Sequence, residues 1–342
     1  MQFNNVTCPH CGLLCDDLTV AVDEGVVQLQ TPRDVNCSKA FADATISADL
    51  PSPKIAGREV SLDEAIHKAS EILAHASQPL INGLIADVQA CRAAIALTEK
   101  VGGVIDHANG KNIRPNVAIM QRLGKVKTTL AEARNRADNV IIFGSQVLDR
   151  FPRLMDRILK PEQSLGSQQT INKSITVLDA AGTETSPQIS QHESINYQQL
   201  ELDSLDSIIQ ALQNVIENNS ATAADDNLQI LHKLRDQIYQ KNYTVLIWST
   251  SLLDAEAAEQ TIQSITLSIK KVMQDVRCVG MPLGGSKGEI TASQVVTWQA
   301  GVPLPVAFMS GVPQHDPVLY NGPEMLEKQE ADAMLWLSTY RS

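Results

Sequence analysis

Long apolar runs, an excess of basic residues and aromatic side chains are what this sequence has little of. No apolar run approaches the roughly 18–20 residues that a membrane-spanning helix requires. Lys and Arg number 28 against 39 Asp and Glu, a net charge of −11. Such a surface repels phosphate backbones and anionic lipid, which sets aside nucleic acid and membrane and leaves a small molecule or another protein as the partner. The opening Met1-Gln2-Phe3-Asn4-Asn5 lacks the basic-then-apolar pattern of a secretory signal, so the cytoplasm is the expected compartment. Aromatics make up only 4%, but 43% apolar and 20% charged residues are ordinary globular values. They exclude a disordered, collagenous or coiled-coil chain. Also missing are internal repeats, a Walker A spacing, G-x-S-x-G and H-E-x-x-H.

Six cysteines are present, and four of them fall within the first 37 residues. In a reducing compartment that clustering points to metal rather than disulfides. Cys8, Cys11 and Cys15 are spaced C-x2-C-x3-C, and Cys37 follows after 21 intervening residues. Four soft thiolates suit either a [4Fe–4S] cluster or tetrahedral zinc. Zinc ribbons favour paired knuckles, whereas here three cysteines crowd one loop and Cys37 stands alone, which favours the cluster. His10 is either a further zinc ligand or a solvated loop histidine, the commoner case. Cys91 lies on an apolar helical face and Cys278 ends an apolar run, so both are expected in the core.

At 342 residues and ~150 residues per domain, about two domains are expected, with ample core. Thr19–Val22 and Val26–Gln30 flank a Gly turn and predict a hairpin. Ser38–Ile46 suggests a short helix, and Pro51-Ser52-Pro53 marks a boundary. Ser61 and Glu64 form a capping-box pattern for a helix running to about Ala76. Beyond it, short apolar strands (Leu80–Ile85, Val104–Ile105, Asn139–Phe143) alternate with helical spacing over 88–101, 115–123 and 129–136. The uniformly apolar Asn139–Phe143 suits a strand buried on both faces of a parallel sheet. Strands at 175–178, 244–248 and 276–279, with helices at 202–215, 227–239 and 256–273, continue the α/β pattern. Polar stretches at 161–174, 181–195 and 217–226 read as loops. A last apolar run, Ala333–Leu337, stands close to the final residue, which suggests a shortened chain or an edge covered by a partner. The reading is an α/β protein: a Cys domain at 1–53, one Rossmann-like lobe at 54–160 and a second at 161–342.

The opening Cys8-Pro9-His10-Cys11-Gly12-Leu13-Leu14-Cys15-Asp16-Asp17, with Cys37, resembles the B subunit of formylmethanofuran dehydrogenase, in the molybdopterin oxidoreductase superfamily. Pro79–Gly83 with Val101–Asp106, and Thr297–Pro303 with Gly311–Pro313 and Asp316-Pro317, carry the likeness onward. The resemblance implies a superfamily fold lacking the C-terminal barrel, a cluster passing electrons to a molybdenum or tungsten bis-pterin centre, and Lys39 bridging cluster and pterin. It also implies a metal-ligating Cys, with a neighbouring His, shortly after the Val-Ile-Asp strand. Ungapped extension places Asn112 and Ile113 at those positions. A carboxamide is no soft anionic ligand and an isoleucine transfers no proton. His107 is the nearest histidine that could do proton work.

With that ligand replaced, the sequence resembles the B-type subunit of the bacterial formyltransferase/hydrolase complex. That resemblance implies a non-catalytic subunit in tetrahydromethanopterin-linked oxidation of formaldehyde to formate. Its implied partners are an amidohydrolase-like A subunit, a C-type subunit and a formyltransferase-type D subunit. Two rivals stand beside it: an active oxidoreductase subunit with a metal bis-pterin, and a zinc-stabilised scaffold. The Gly284-Gly285-Ser286-Lys287-Gly288 turn precedes a helix near Ile290–Trp298. In the family this neighbourhood approaches the pterin pyrophosphates, so Gly284 and Gly285 are candidate cofactor contacts, or an ordinary turn. Gly144-Ser145 follows a strand where parallel sheets bind ligands. The Asp149-Arg150 pair and Arg153 are candidates to recognise an anion, or solvated loop charges.

Overall fold

A computed structural model describes residues 1–8, 10–24, 26–31, 37, 51–162, 172–218 and 225–338. Lys39, the predicted helix Ser38–Ile46 and most of the polar stretches 161–174 and 217–226 lie outside the described residues. Among those described, no helix is long and apolar enough to cross a membrane.

The strands in chain order are β1 (Gln2–Val6), β2 (Leu18–Asp23), β3 (Val26–Thr31), β4 (Lys54–Ile55), β5 (Arg58–Glu59), β6 (Pro79–Ile85), β7 (Val104–Ile105), β8 (Asn139–Phe143), β9 (Ser174–Ala180), β10 (Ile195–Leu200), β11 (Tyr243–Trp248), β12 (Arg277–Pro282), β13 (Val306–Ala307) and β14 (Ala333–Ser338). They fall into two compact units, one made of 1–114 with 285–342 and the other of 115–284. These units are not the sequential segments 1–53, 54–160 and 161–342. The C-terminal segment returns to the first unit because β14 and β13 complete its sheet rather than adding to the second.

In the first unit, β2 and β3 form the predicted hairpin, and β1, unforeseen in the sequence, pairs antiparallel with β2. Leu18 and Val20 bury one face of it. The main sheet has the order β13-β7-β6-β14. β6, β7 and β14 run parallel, while β13 pairs antiparallel with β7, so this sheet is mixed rather than purely Rossmann-like. β6 is buried along its whole length. Gly83 lets β14 approach: a Cβ there would stand 2.4 Å from the Leu337 carbonyl oxygen. The helix Val88–Val101 buries Cys91, Ala94, Ile95 and Thr98, the i, i+3, i+4, i+7 stripe of a half-buried helix. It packs with the helix Glu289–Ala300 over Ile81, Ile105 and Val306. Gly102, in the left-handed region at φ 67°, ends the first of these helices. The predicted capping box is present, Glu64 N–H donating to Ser61 Oγ and Ser61 N–H to Glu64 Oε2.

The second unit is a five-stranded sheet of order β10-β9-β8-β11-β12, parallel throughout. Counted from β8 this is 3-2-1-4-5, the doubly wound arrangement, with its switch point between β8 and β11. The helices Leu205–Glu217, Asp226–Gln240 and Ala258–Val272 bury Ile208, Leu212, Leu231, Ile238, Ile262 and Ile265 in its core. Cys91 and Cys278 are both fully buried, as expected, and burial pushes the Cys278 thiol up to about 12. The sequence pattern leads from a loop at 181–195 directly into a helix, but β10 intervenes; its polar Asn196, Gln198 and Gln199 suit an edge strand and hide it from an apolar search. The opposite edge, β12, is covered: Gly280 N–H donates to the Val126 carbonyl and Thr128 N–H to the Gly280 carbonyl.

Candidate functional site

The chemistry-bearing residues of the first unit gather where β6 and β7 end, the end at which parallel strands present loops to ligands. Asp106 follows β7 directly and is fully buried. Its carboxylate accepts from the His107 and Gly322 backbone N–H groups at 2.8 and 3.0 Å and pairs with Arg114 Nη1 at 3.2 Å. Arg114 also donates to Asn321 Oδ1 at 3.2 Å. Burial raises the Asp106 pKa, and the Arg114 charge and the two N–H donors partly oppose that shift. The pair fastens the β7 end to the start of the helix Gly322–Glu327.

His107 is fully buried too. Its Nδ1 accepts from the Asn109 backbone N–H at 2.9 Å, so the ring proton sits on Nε2, which donates to the Lys287 carbonyl at 3.2 Å. Desolvation drives its pKa down to about 4. With both nitrogens engaged by backbone and the cation disfavoured, His107 holds a loop in place and has no free lone pair for proton transfer.

The loop it holds is the glycine turn. The unit boundary falls between Gly284 and Gly285. Gly285 has φ 103°, and a Cβ there would meet Ile290 at 3.0 Å and the Gly12 Cα, in the cysteine loop, at 3.2 Å. Lys287 is left-handed at φ 55°, a conformation costing a non-glycine residue roughly 1 kcal/mol. The His107 bond to its carbonyl helps to hold it there. Glu289, 7% exposed, closes the turn: Oε1 accepts from the Gly285 N–H at 2.7 Å and Oε2 from Asn109 Nδ2 at 3.0 Å. Burial raises its pKa against those two bonds.

Asn112 and Ile113 lie in the first turn of a helix, Gly110–Leu123, that begins five residues before the sequence predicts. The Asn112 backbone N–H donates to the Asn109 carbonyl at 2.9 Å. For a molybdenum or tungsten bis-pterin the residues do not fit. Asn112 and Ile113 offer a carboxamide and a hydrocarbon, neither a soft anionic donor, and the glycine turn has its Gly285 N–H committed to Glu289.

In the N-terminal loop, Cys11 and Cys15 are buried and Cys8 and Cys37 half-buried. The Cys8 backbone N–H donates to the Cys15 carbonyl at 2.8 Å, drawing the ends of C-x2-C-x3-C together. The donor set suits iron or zinc. Among the described residues, no three His, Cys, Asp or Glu side chains, His10 included, converge in metal-holding geometry.

The second unit's candidates are tied up within the fold. Gly144 has φ 91°. The Ser145 N–H donates to Asp179 Oδ1 at 2.7 Å, and Ser145 Oγ accepts from the Ser186 N–H at 3.0 Å. Asp149 accepts from Ser186 Oγ at 2.7 Å, Arg150 donates to Ser251 Oγ, and Arg153 pairs with Asp156 at 3.1 Å. At the end of β11, Lys125 Nζ lies 5.6 Å from the Trp248 ring and donates to Asn116 Oδ1 at 2.5 Å. Asn116 Nδ2 donates to Thr250 Oγ1 at 2.5 Å. Burial lowers the Lys125 pKa to about 8.

The sequence alone did not single out Glu289, Asn109, Arg114 or Lys125. Asp106 carried a usable signal, a carboxylate directly behind an apolar strand with an arginine eight residues on.

No family model matches the chain. The B subunit of the tungsten-containing formylmethanofuran dehydrogenase 2 of Methanocaldococcus jannaschii is 24% identical over 341 residues, covering 97% of this chain and 78% of that protein. The B subunit of the formyltransferase/hydrolase complex Fhc of Methylorubrum extorquens is 24% identical over 285 residues, covering 83% of this chain and 74% of that protein. A crystal structure of the formyltransferase/hydrolase complex FhcABCD from Methylorubrum extorquens, with methylofuran, matches with a TM-score of 0.69 at 24% identity. The match covers 81% of this chain and 73% of that one, and it shows a shared fold. The chain is thus a homologue, over most of its length, of proteins named as the B subunits of formylmethanofuran dehydrogenase and of the formyltransferase/hydrolase complex.

Proposed function

We propose that this chain is a B-type subunit of a formyltransferase/hydrolase complex in one-carbon metabolism, in the cytoplasm, and that it carries no oxidoreductase centre of its own. What supports the reading is Asn112, in the first turn of the helix Gly110–Leu123, at the position onto which ungapped extension from Val104–Asp106 brings the metal-ligating Cys that the resemblance implies. His107, the nearest histidine, supports it, since both ring nitrogens are bound to backbone. The chemistry would reside in partners of amidohydrolase and formyltransferase type, with tetrahydromethanopterin as the one-carbon carrier. Purification of the native assembly tests this. Co-elution with such subunits at less than a tenth of a W or Mo atom per chain is the expected outcome. One W or Mo per chain would sink the reading and favour the active dehydrogenase, the kind of protein named in the relative that covers 97% of the chain.

Cys8, Cys11, Cys15 and Cys37 are the proposed ligands of a [4Fe–4S] cluster, supported by their number, spacing and the bond joining Cys8 to Cys15. Anaerobically purified protein should contain about four iron atoms per chain and absorb near ~400 nm, bleaching on reduction. Stoichiometric zinc without that band would identify a zinc-stabilised scaffold instead.

A further inference from the structure

β14 is an edge strand: the main sheet of the first unit ends with it, and no strand among the described residues lies beyond. Its side chains alternate. Leu335 and Leu337 turn to the helix-covered face, with Ile81 and Ile105. Met334 and Trp336 stand in register with Leu80 and Asn82, so they lie on the opposite face. There Leu80 and Val104 are covered by Met325, Tyr320 and Ala331, from the segment that leads into β14. The cover stops short of β14 itself, and Met334 and Trp336 are each 48% exposed. The covering segment also presents Val318, Leu319 and Leu326 to solvent, at 41% to 65%. Val318 and Leu319 are held in place: both backbone N–H groups donate to Asp316 Oδ1 at 2.9 Å, and the Tyr320 N–H donates to the Asp316 carbonyl at 3.1 Å. Single exposed apolar residues are ordinary, but five large ones on the cover and edge of one sheet face mark a contact surface.

Charge says what covers it. From Asp316 to Asp332 the chain carries five carboxylates and one ammonium, Lys328. Lys328 is held by Glu324 at 3.1 Å, so the rim stays acidic. A second copy docked across a twofold axis would set this rim against itself. The same rim repels anionic lipid. We propose that the face formed by Val318, Leu319, Leu326, Met334 and Trp336 docks a different polypeptide, one that offers an apolar centre rimmed by Lys and Arg, with Trp336 as the anchor. The inference rests on the reading of the chain as a subunit of an assembly, and it assigns the face that the neighbour takes.

The test uses the full chain in its native assembly, with a benzophenone amino acid at position 319 as the probe. Irradiation followed by mass spectrometry of the cross-linked peptides is the readout. The expected product joins this chain to a different polypeptide, at a surface where Lys and Arg outnumber Asp and Glu. A product within this chain or with a second copy would overturn the proposal. So would a product on an acidic surface, or none. Cross-linking to a protein that is no subunit of a formyltransferase/hydrolase complex would end the assembly reading and leave this face standing. Co-elution of such subunits with no cross-link from position 319 would do the reverse. Trp336→Ala should weaken retention of the partner on dilution by ~tenfold or more, with the melting temperature of the chain unchanged. If that variant is itself destabilised, the exposed pair Glu327→Lys with Glu330→Lys decides. It should weaken retention roughly threefold or more at low ionic strength, and less in high salt. Full retention by the charge-reversed chain at low salt would overturn the proposal.

Discussion

The Asn109 backbone N–H points at His107 Nδ1 from 2.9 Å, and that one bond sets the character of the site. It makes Nδ1 an acceptor, places the proton on Nε2 and turns Nε2 toward the Lys287 carbonyl. A residue two positions downstream thereby converts a candidate acid or base into a strut between two loops.

The strut has a pH signature. The folded-state pKa of His107 is lowered from 6.5 to about 4, so below about pH 6.5 the unfolded chain takes up a proton that the folded chain refuses. The stability contribution is full above pH 6.5 and drains away between there and about pH 4, by on the order of 3 kcal/mol. Asp106 and Glu289, whose pKa values are raised, work in the opposite direction, so the wild-type curve alone mixes these effects. The difference between wild type and His107→Gln in urea unfolding from pH 7.5 to 4 isolates the histidine. A difference that stays flat across that range would contradict the assigned tautomer and burial.

The Asp106–Arg114 pair is a fold-holding contact rather than a surface ion pair, since Asp106 is fully buried and the Arg114 side chain only 14% exposed. Asp106→Ala strands a guanidinium and two backbone N–H groups, and should cost about 3–5 kcal/mol. Asp106→Asn keeps acceptors for part of the set and should cost less. Chemical denaturation measures both. A loss below ~1 kcal/mol for the alanine variant would mean that water replaces the carboxylate, contrary to its burial.

Much of this architecture was legible in the residues. Asn139–Phe143 could only be a strand buried on both faces, and the Ser61/Glu64 box with Gly102 fixed helix ends to the residue or nearly so. Two kinds of information were not local. The polar edge strand β10 exists because β9 offers it hydrogen bonds, and the return of β13 and β14 to the first unit is a matter of sheet pairing that no periodicity encodes. The site divides the same way. His107 was visible as a histidine directly behind an apolar strand, whereas Glu289 and Asn109 are 180 residues apart and become partners only when the glycine turn folds against the end of β7. Pro115 conceals the start of its own helix: the helix begins at Gly110 and carries Pro115 inside it as its sixth residue, beyond the first four N–H groups that have no intrahelical acceptor, so a proline read as a helix start is an interior one.

Lys125 should report on its own protonation through Trp248. Trp248 is fully buried, whereas Trp298 and Trp336 are about half exposed or more, so the blue edge of the emission belongs to Trp248. An ammonium 5.6 Å from the indole perturbs that emission, and neutralising it removes the perturbation. Blue-edge fluorescence should therefore titrate near pH 8, well below the ordinary lysine range. Lys125→Met should abolish the transition. A transition that persists in Lys125→Met would assign it to another group.

Placing a thiolate at position 112 should not by itself create a heavy-metal centre. Asn112→Cys supplies a soft ligand of the required kind. It leaves His107 bound to Lys287 and Asn109, and it leaves Gly285 donating to Glu289. It also leaves Ile113 where the resemblance implies a histidine, so that feature and an open glycine turn are both still lacking. Asn112→Cys, produced in a host that makes tungstopterin, should bind less than a tenth of a tungsten atom per chain by elemental analysis. Near-stoichiometric tungsten in that single variant would show that the thiolate alone had been limiting.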